Sequence, residues 1–434
     1  MYKIYQNGNE FIEENVKIFD SDPINLAFYY IDALEIKEFS TDNYIIKVYD
    51  DNNYLFMLKI KDYNLMIYGC QSLAKEAAYI LRDYNLSFTE LLCESKLGDE
   101  FLANYQEIYK GNYTVNLDMQ LMKCDKVIDC DTSDIIIPDY DDLNEIYNCL
   151  VNFHLETNTK GITFPEFKKQ FIKNRSSYRI IKVNDEIASI GKRRNVLNTA
   201  SISNIYTNKK YRKMGYAKKI VSLLTNEILS EDKISYLYVD SNNPISSHMY
   251  QSLGYVYLNK QREYKYNVGS IKTLELAGGC FWCVAMPFYE FNGVNRVLSG
   301  YIGGEKIDPK YMEVKTLQTR AREAILIEYD ETKISYKELL DTYFSVIDPY
   351  DSGGQFIDRG FNYTCSIYSD DENVINYAKK LINKYESIGK KPVYVSLASN
   401  SVFYKAEEYH QNYALKNPEA MDLELVNSGR KKDK

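Results

Sequence analysis

The strand-to-helix turn at Gly278-Gly279-Cys280-Phe281-Trp282 organises the C-terminal region of this chain. Residues 273–277 before it predict a strand, and Phe281, Val284, Phe288 and Phe291 recur at helical spacing. Cys280 is therefore expected at a helix start, where free N–H groups and the positive dipole end favour a thiolate. The glycines permit a tight turn that leaves the sulfur accessible. Phe281 and Trp282 place an apolar wall beside it.

The residues alone leave three interpretations of Cys280 open. It can be a buried structural cysteine, a reactive nucleophile, or, with Cys283, the CxxC pair of a thioredoxin-like oxidoreductase. Structural zinc is not expected, because a four-ligand site needs a second CxxC pair or two suitably spaced histidines. His154, His248 and His410 lack that spacing, so no metal is predicted.

Four further segments follow the cysteine turn in a fixed order. They are SGYIGG (299–304), REA (322–324), GGQFIDRGFNY (353–363, after Asp348-Pro349) and AEEYHQ (406–411). Together with GGCFW, they resemble the signature segments of the peptide-methionine (S)-S-oxide reductases, the A-type methionine sulfoxide reductases. The resemblance covers residues from about 272 to 420. It implies an α/β sandwich domain that reduces methionine-S-sulfoxide, free or in proteins, in protein repair under oxidative stress.

The resemblance also implies a role for each matched residue. Cys280 attacks the sulfoxide sulfur and becomes a sulfenic acid, and Glu323 protonates the sulfoxide oxygen. A dry pocket would keep the Glu323 carboxyl protonated. The remaining roles fall to Tyr301 and Tyr363 as hydrogen-bond donors, Phe281 and Trp282 as holders of the substrate methyl group, and Asp358 as a pocket residue.

The sequence departs from the family pattern at two places. Arg322 stands where a histidine usually precedes the glutamate, and an adjacent cation is expected to favour ionised Glu323. No cysteine follows Cys365, so the C-terminal resolving cysteines frequent in the family are missing. Cys283 is the candidate resolving thiol and Cys365 its rival, with a buried strand cysteine as the alternative for Cys365. Thioredoxin or a similar dithiol is expected to reduce the disulfide.

A second motif, RKMGYA (212–217), precedes a helix with one apolar face. A glycine at a helix start offers N–H groups to phosphate, although alone it also fits an ordinary helix. With strand patterns at 200–207 and 236–239, the region of about 131 to 260 resembles GNAT acetyltransferases. The resemblance implies acetyl-CoA binding by Arg212, Met214, Gly215, Tyr216, Ala217 and Asn243. It makes Tyr250 the acid that protonates the leaving thiolate, with a core aromatic as the alternative.

The chain of 434 residues divides into three regions. Residues 1–126 are predicted, by fold analogy, to be a degenerate GNAT-like half, with a hairpin at 44–49 and 54–58. Residues 127–266 form the GNAT-like mixed-sheet domain. After a linker at 267–270, residues 271–425 form the reductase domain, before a charged tail at 429–434 that is expected to fray. The predicted fold class is therefore α/β (α+β).

The composition limits the classes of binding partner that are expected. A net charge of −8 disfavours nucleic-acid binding, and no apolar run reaches the roughly 20 residues of a membrane helix. The first residues have no apolar leader, so a cytoplasmic location is expected. The predicted partners are methionine sulfoxide and a thioredoxin-like reductant. The alternative function is a general CxxC thiol-disulfide oxidoreductase with a GNAT-like module that binds without catalysis.

Overall fold

The computed structural model describes residues 1–157, 159 and 161–430. Within these residues the chain forms mixed α/β structure with sheets of twelve, six and two strands. In the described ranges no helix has both the length and the apolar character needed to cross a membrane.

The first sheet and its helices occupy residues 2–267. Its strands are β1 (Tyr2–Ile4), β2 (Tyr44–Tyr49), β3 (Tyr54–Lys59), β4 (Leu65–Gly69), β5 (Glu90–Glu94), β6 (Asn112–Cys124), β7 (Ile135–Ile136), β8 (Tyr178–Val183), β9 (Glu186–Val196), β10 (Thr199–Thr207), β11 (Ile234–Asp240) and β12 (Val256–Asn267). Its helices are α1 (Gly8–Glu14), α2 (Val16–Ser21), α3 (Ala27–Glu35), α4 (Ala74–Asp83), α5 (Ser95–Tyr109), α6 (Leu143–Thr157), α7 (Phe164–Asn174), α8 (Tyr216–Ser230) and α9 (Pro244–Ser252).

The second part of the chain begins at Ile271. Its strands are β13 (Ile271–Ala277), β14 (Val294–Ile302), β15 (Arg322–Asp330), β16 (Gly354–Gln355), β17 (Asp358–Arg359), β18 (Ser366–Tyr368), β19 (Ser396–Ala398) and β20 (Phe403–Lys405). Its helices are α10 (Phe281–Ala285), α11 (Tyr311–Lys315), α12 (Tyr336–Val346), α13 (Glu372–Gly389), α14 (Tyr413–Lys416) and α15 (Pro418–Asn427).

The strand order of the twelve-stranded sheet is a palindrome. It runs β1-β2-β3-β4-β5-β12-β6-β11-β10-β9-β8-β7, so each strand of 2–124 has a counterpart in 135–267. The last strand of each half has crossed over: β12 pairs with β5, and β6 pairs with β11. The inner pairs β4–β5 and β10–β11 are parallel, and the described neighbours around them are antiparallel. The exchange means that neither half completes its sheet without the other.

Several predicted elements are confirmed in this sheet. The hairpin at 44–49 and 54–58 forms as β2 and β3, and the strands at 200–207 and 236–239 lie within β10 and β11. The amphipathic helix after the RKMGYA turn is α8, whose buried face includes Ile220, Val221, Leu224 and Ile228. Strands β2 and β3 bury side chains on both faces, so their apolar runs and the polar turn between them were the signal for the hairpin. Helical periodicity was the signal for α8.

The six-stranded sheet has the order β19-β18-β13-β15-β14-β20. The predicted strand at 273–277 begins at Ile271, and the Ser335–Glu338 capping box forms at the start of α12. The helix predicted from Phe281 onward is shorter than its apolar spacing suggested. It ends at Ala285, and a 3₁₀ turn covers Met286–Glu290. Pro287 lacks the N–H needed to continue an α-helix, which explains the break.

Buried charged side chains form hydrogen bonds between the two parts of the chain. Glu328 on β15 is 3% exposed and accepts hydrogen bonds from Arg82 on α4 (2.8 and 3.1 Å) and Arg296 on β14 (2.8 Å). Asn85 donates to the buried Glu275 carboxylate of β13 at 2.6 Å. One apolar cluster runs through this contact from the α4 and α5 side chains to those of β13 and α12. The two parts therefore share a core.

Candidate functional site

Cys280 lies where the sequence placed it, between β13 and α10. It is the N-cap residue of α10, and its carbonyl accepts from the N–H groups of Cys283 (3.0 Å) and Val284 (3.1 Å). Gly279 has φ +87°, and a Cβ there would come within 2.6 Å of the Gln355 Cβ. The turn that presents Cys280 therefore requires glycine at 279.

The two thiols of the CxxC pair are hydrogen-bonded and titrate as a pair. The hydrogen bond to Cys283, and then burial, raise the pKa of Cys280 well above its usual range. The same hydrogen bond, with help from the Arg430 guanidinium, lowers the pKa of Cys283 despite its burial. The helix start was expected to favour a thiolate at Cys280; the hydrogen bond between the thiols and the Arg430 guanidinium favour a thiolate on Cys283.

Glu323 lies on β15 beside the cysteine turn and is 3% exposed. Its Oε2 accepts from the Phe281 N–H at 3.3 Å, and the Tyr363 side chain also hydrogen-bonds to it. Burial, and then the charge of a Cys280 thiolate, raise the pKa of Glu323 well above its usual range. The raised pKa favours the protonated carboxyl group, which can supply a proton.

Arg322 does not act on Glu323 as the sequence suggested. Successive strand side chains point to opposite faces, so Arg322 leaves the site on the other side of β15. Its guanidinium donates to Thr364 Oγ1 (2.9 Å) and to the Tyr368 hydroxyl (2.7 Å). The expectation that this cation would ionise Glu323 is wrong, because burial controls that carboxyl.

Tyr301 on β14 is opposite Glu323 in the strand register and is fully buried. Its hydroxyl donates to Glu407 Oε2 at 2.8 Å, and the Tyr311 N–H donates to Glu407 Oε1 at 3.0 Å. Burial works to raise the pKa of Glu407, but these hydrogen bonds lower it overall. Glu407 and Tyr311 were not predicted as site residues, although AEEYHQ contained the first of them.

Aromatic rings surround the cysteine turn. Trp282 stacks on Tyr413 with 3.8 Å between ring centroids, and Phe281 is 5.0 Å from His410. His410 is 1% exposed, and burial lowers its pKa. Its ring nitrogens have no hydrogen-bond partner among the described residues, although Nε2 lies 4.0 Å from Glu407 Oε2. The Trp282 indole nitrogen is also buried and unpartnered within the described chain. The site therefore combines apolar ring walls with buried polar atoms that have no hydrogen-bond partner within the described chain.

Arg430 reaches the same site from the C-terminal tail. The tail at 429–434 was expected to fray, but the Arg430 side chain is only 6% exposed. Its guanidinium donates to Asp358 Oδ2 at 3.1 Å and lies 4.5 Å from the Phe356 ring centre. That expectation is wrong at Arg430, and residues 431–434 lie outside the described residues. No sequence signal marked Arg430, since its partners are more than 70 residues away.

Cys365 is less suited to react with Cys280. It is 1% exposed and is part of the apolar cluster beneath β13. Burial raises its pKa to about 12, and its side-chain partner is Tyr343. No group of three or more histidine, cysteine or acidic side chains within the described ranges could hold a metal ion.

The RKMGYA turn forms a cradle at the start of α8. Gly215 is the N-cap residue with φ +82°, and no atom lies within 4 Å of the position of an added Cβ. The first turn of α8 has no acidic residue and includes Lys218 and Lys219. Arg212 donates to the Thr207 carbonyl at 3.0 Å and pairs with Glu156 at 2.6 Å. Open space, a helix start and cations fit a pyrophosphate group.

Tyr250 and Asn243 lie on α9 and at its start. The Asn243 side chain caps α9 by accepting from the Ser246 N–H at 3.0 Å. Tyr250 is 7% exposed, burial raises its pKa to about 12, and it packs in the core with Tyr255. Next to them, β10 and β11 pair only from Thr199–Ile234 to Ile202–Leu237 and then separate. That separation leaves a slot between the ends of these two strands.

Comparison with known proteins agrees with both motifs. Residues 272–434 match the family model of peptide methionine sulfoxide reductase, and residues 188–264 match that of FR47-like protein. Peptide methionine sulfoxide reductase MsrA of Bacillus velezensis is 41% identical over 156 residues, which are 36% of this chain and 88% of the relative. The enzyme of the same name from Bacillus pumilus is 43% identical over the same shares.

Solved structures with similarity to parts of the chain include two kinds of protein. Methionine sulfoxide reductase A of Corynebacterium diphtheriae has 27% identity and a TM-score of 0.32, covering 34% of this chain and 76% of its own. An acetyltransferase of the GNAT family from Colwellia psychrerythraea has 13% identity and a TM-score of 0.44. The match covers 62% of this chain and 99% of that protein. By the sequence matches, this chain belongs to the peptide methionine sulfoxide reductase family and has an FR47-like region ahead of the reductase region.

Proposed function

We propose that this chain reduces methionine-S-sulfoxide, free or in proteins, at Cys280. The observation that supports this most directly is the pairing of Cys280 with Glu323, a buried carboxyl group whose raised pKa favours its protonated form. The aromatic walls around the turn suit a substrate that carries a small methyl group beside a polar S=O bond.

The first step oxidises Cys280 and reduces the substrate sulfur by two electrons. Cys280 passes its proton along the hydrogen bond to the Cys283 sulfur as it attacks the sulfoxide sulfur. Glu323 protonates the sulfoxide oxygen, which leaves the substrate and becomes the hydroxyl of the Cys280 sulfenic acid. The substrate leaves as methionine. Phe281 and Trp282 hold the methyl group, and Asp358 shapes the pocket.

The tyrosines have different positions in this scheme. Tyr363 already hydrogen-bonds to Glu323 and therefore lies within reach of the sulfoxide oxygen. Tyr301 donates to Glu407 in this structure, so it would have to turn from Glu407 to donate to that oxygen. We propose Tyr363 as the principal donor and Tyr301 as the second.

The second step forms a disulfide. Cys283 loses its proton, attacks the Cys280 sulfur and expels the hydroxyl, which leaves as water. Its lowered pKa, with Arg430 beside it, supports Cys283 over Cys365 as the resolving thiol. A thioredoxin-like dithiol then reduces the Cys280–Cys283 bond by thiol-disulfide exchange. The sum is one sulfoxide and two thiols converted to one sulfide, one disulfide and water.

Turnover of the two methionine sulfoxide epimers tests this function. With dithiothreitol as reductant, the full chain should consume the S epimer and leave the R epimer. Cys280→Ser should abolish the activity, because a hydroxyl without an adjacent base is a poor nucleophile. Cys130→Ser, at a half-buried cysteine outside the reductase region, is the matched control. If the chain reduces insulin disulfides but neither epimer, the general CxxC oxidoreductase is correct and this proposal fails.

We also propose that residues 127–266 bind acetyl-CoA, and that residues 1–126 are a degenerate GNAT-like half. Arg212, Met214, Gly215, Tyr216 and Ala217 would hold the pyrophosphate, and Asn243 would border the thioester slot. Acetyl-CoA supplies an activated acetyl group when bound. Burial keeps the proton on the Tyr250 hydroxyl, so Tyr250 is suited to protonate a thiolate. The reductase domain corresponds to residues 271–425.

Calorimetry on the full chain tests acetyl-CoA binding. Gly215→Asp should remove binding, since it places a carboxylate in the cradle. Gly429→Asp is the matched control, because Gly429 also has a positive φ and open space around its Cα. No heat of binding to the unmodified chain would favour a GNAT-like module without acetyl-CoA.

A further inference from the structure

A cavity of about 550 Å³ lies in the half of the large sheet that has no acetyltransferase motif. It opens where the parallel strands β4 and β5 separate, because their pairing ends at Ile67 and Cys93 while both strands continue. Helix α3 forms one wall, and strands β6, β11 and β12 extend the floor. The ends of parallel strands that part in this way are favourable positions for ligands.

Aromatic side chains form part of the wall of this cavity, beside aliphatic and amide side chains. The aromatic residues are Phe28, Tyr29, Tyr54, Tyr68 and Tyr238. Tyr29 is 5% exposed, and its hydroxyl has no hydrogen-bond partner among the described residues. Burial raises its pKa well above the usual range, so this hydroxyl remains a neutral donor and acceptor. This hydroxyl is not among the fully buried unpartnered atoms of the described chain, so it can meet a ligand or water in the cavity.

The charge of the lining is negative. Asp22 and Glu94 are its charged residues, and neither forms a salt bridge within the described part of the chain. Asp22 Oδ2 accepts from the Tyr68 hydroxyl at 2.8 Å, which holds the carboxylate against an aromatic wall. Rings and carboxylates together attract organic cations through cation–π and ionic contacts.

The cavity lacks the means to hold a phosphate. By position in the palindromic sheet, α4 corresponds to α8, and Leu73 occupies the N-cap position that Gly215 has in α8. Leu73 is buried, and its N–H already donates to the Cys70 carbonyl at 3.2 Å. Glu76 adds a negative charge to the first turn. A coenzyme A pyrophosphate is therefore disfavoured here.

We propose that this cavity binds a small organic ammonium with an apolar body, and that the ligand is not acetylated there. The ammonium group lies towards Asp22 and Glu94, and the apolar body lies against the tyrosine rings. The Tyr29 hydroxyl supplies a further hydrogen bond. This site is independent of both the reductase site and the RKMGYA cradle.

Three ligands that share a phenyl ring, one cationic, one neutral and one anionic, test the proposal on the full chain. Binding of 2-phenylethylammonium, 2-phenylethanol and phenylacetate is measured by calorimetry and by ligand-observed NMR. We expect the ammonium to bind at least tenfold more tightly than the alcohol and phenylacetate not to bind.

Variants locate the binding. Asp22→Asn, which keeps an acceptor for Tyr68, should weaken ammonium binding about tenfold, and Tyr29→Phe should weaken it several-fold. Asp20→Asn, at an exposed position on α2, should leave it unchanged. The proposal is overturned if the ammonium does not bind, if the alcohol binds equally well, or if Asp22→Asn and Tyr29→Phe bind as the unmodified chain does.

Discussion

Replacing Glu323 by glutamine isolates the proton that the reductase mechanism requires. Glutamine has nearly the same shape and keeps a carbonyl oxygen for the Phe281 N–H, which lies 3.3 Å from Glu323 Oε2. It cannot ionise, so it cannot protonate the sulfoxide oxygen. Because Glu323 is 3% exposed and contributes to no salt bridge in the described residues, the substitution should leave the fold intact.

The expected loss is large and depends on pH. A positioned general acid contributes roughly 10²- to 10⁴-fold to a rate, so sulfenic acid formation should slow by that factor. The raised pKa of Glu323 means that its acid form is present below that pKa and lost above it. For the unmodified chain the rate should therefore fall as pH rises through the Glu323 pKa. The glutamine variant should not show this fall in rate.

A single turnover without reductant measures the relevant step. The reduced full chain is mixed with one equivalent of methionine-S-sulfoxide, and methionine release is followed by rapid quench between pH 5 and 9. Glu331→Gln, at an exposed glutamate after β15, is the control and should react as the unmodified chain does. Equal rates for Glu323→Gln and the unmodified chain would remove Glu323 from the mechanism. An unchanged fall in rate with rising pH would assign the proton to another group.

Two further predictions concern groups that the sequence did not mark. Arg430→Met should slow Cys280–Cys283 disulfide formation about tenfold for each pKa unit that Cys283 regains. Quenched mass spectrometry follows that disulfide, exposed Lys416→Met is the control, and an unchanged rate would contradict the role of Arg430. Burial raises the pKa of Glu275 to about 8, so the folded state binds its proton more tightly than the unfolded state. As pH rises from about 5 to about 8, the unfolding free energy should fall by roughly 1.4 kcal/mol per pH unit. The Glu275→Gln variant should show a smaller dependence on pH.

Local pattern was sufficient to predict much of the reductase site. The strand before Gly278 and the helix start at Phe281 each follow from local periodicity. Gly279 could be placed at the turn because its positive φ suits glycine. Motif order then brought Cys280 and Glu323 together before any geometry was known.

The effect of neighbours in space could not be predicted in the same way. Arg322 adjoins Glu323 in sequence, yet the pleat of β15 sends the two side chains to opposite faces. Arg430 lies about 150 residues from Cys280 and reaches it only because α14 and α15 fold back over the turn. The hydrogen bond between the two thiols depends on that same packing, so a helix-start argument alone could not show how Cys283 shifts the pKa of Cys280.

The crossover of β6 and β12 was also beyond sequence reasoning, because strand alternation fixes which side chains face the core but not which strand lies alongside. Its consequence extends to the reductase region. Strand β12 pairs with β5 and so completes the sheet in the first half. Helix α4 of the same half carries Arg82, whose guanidinium donates to Glu328. Removing residues 1–266 would leave Glu328 with Arg296 as its arginine partner and would expose the apolar face of β13. Activity lost from a fragment of 271–434 would therefore report instability as readily as chemistry, which is why each test of the reductase site is designed for the full chain.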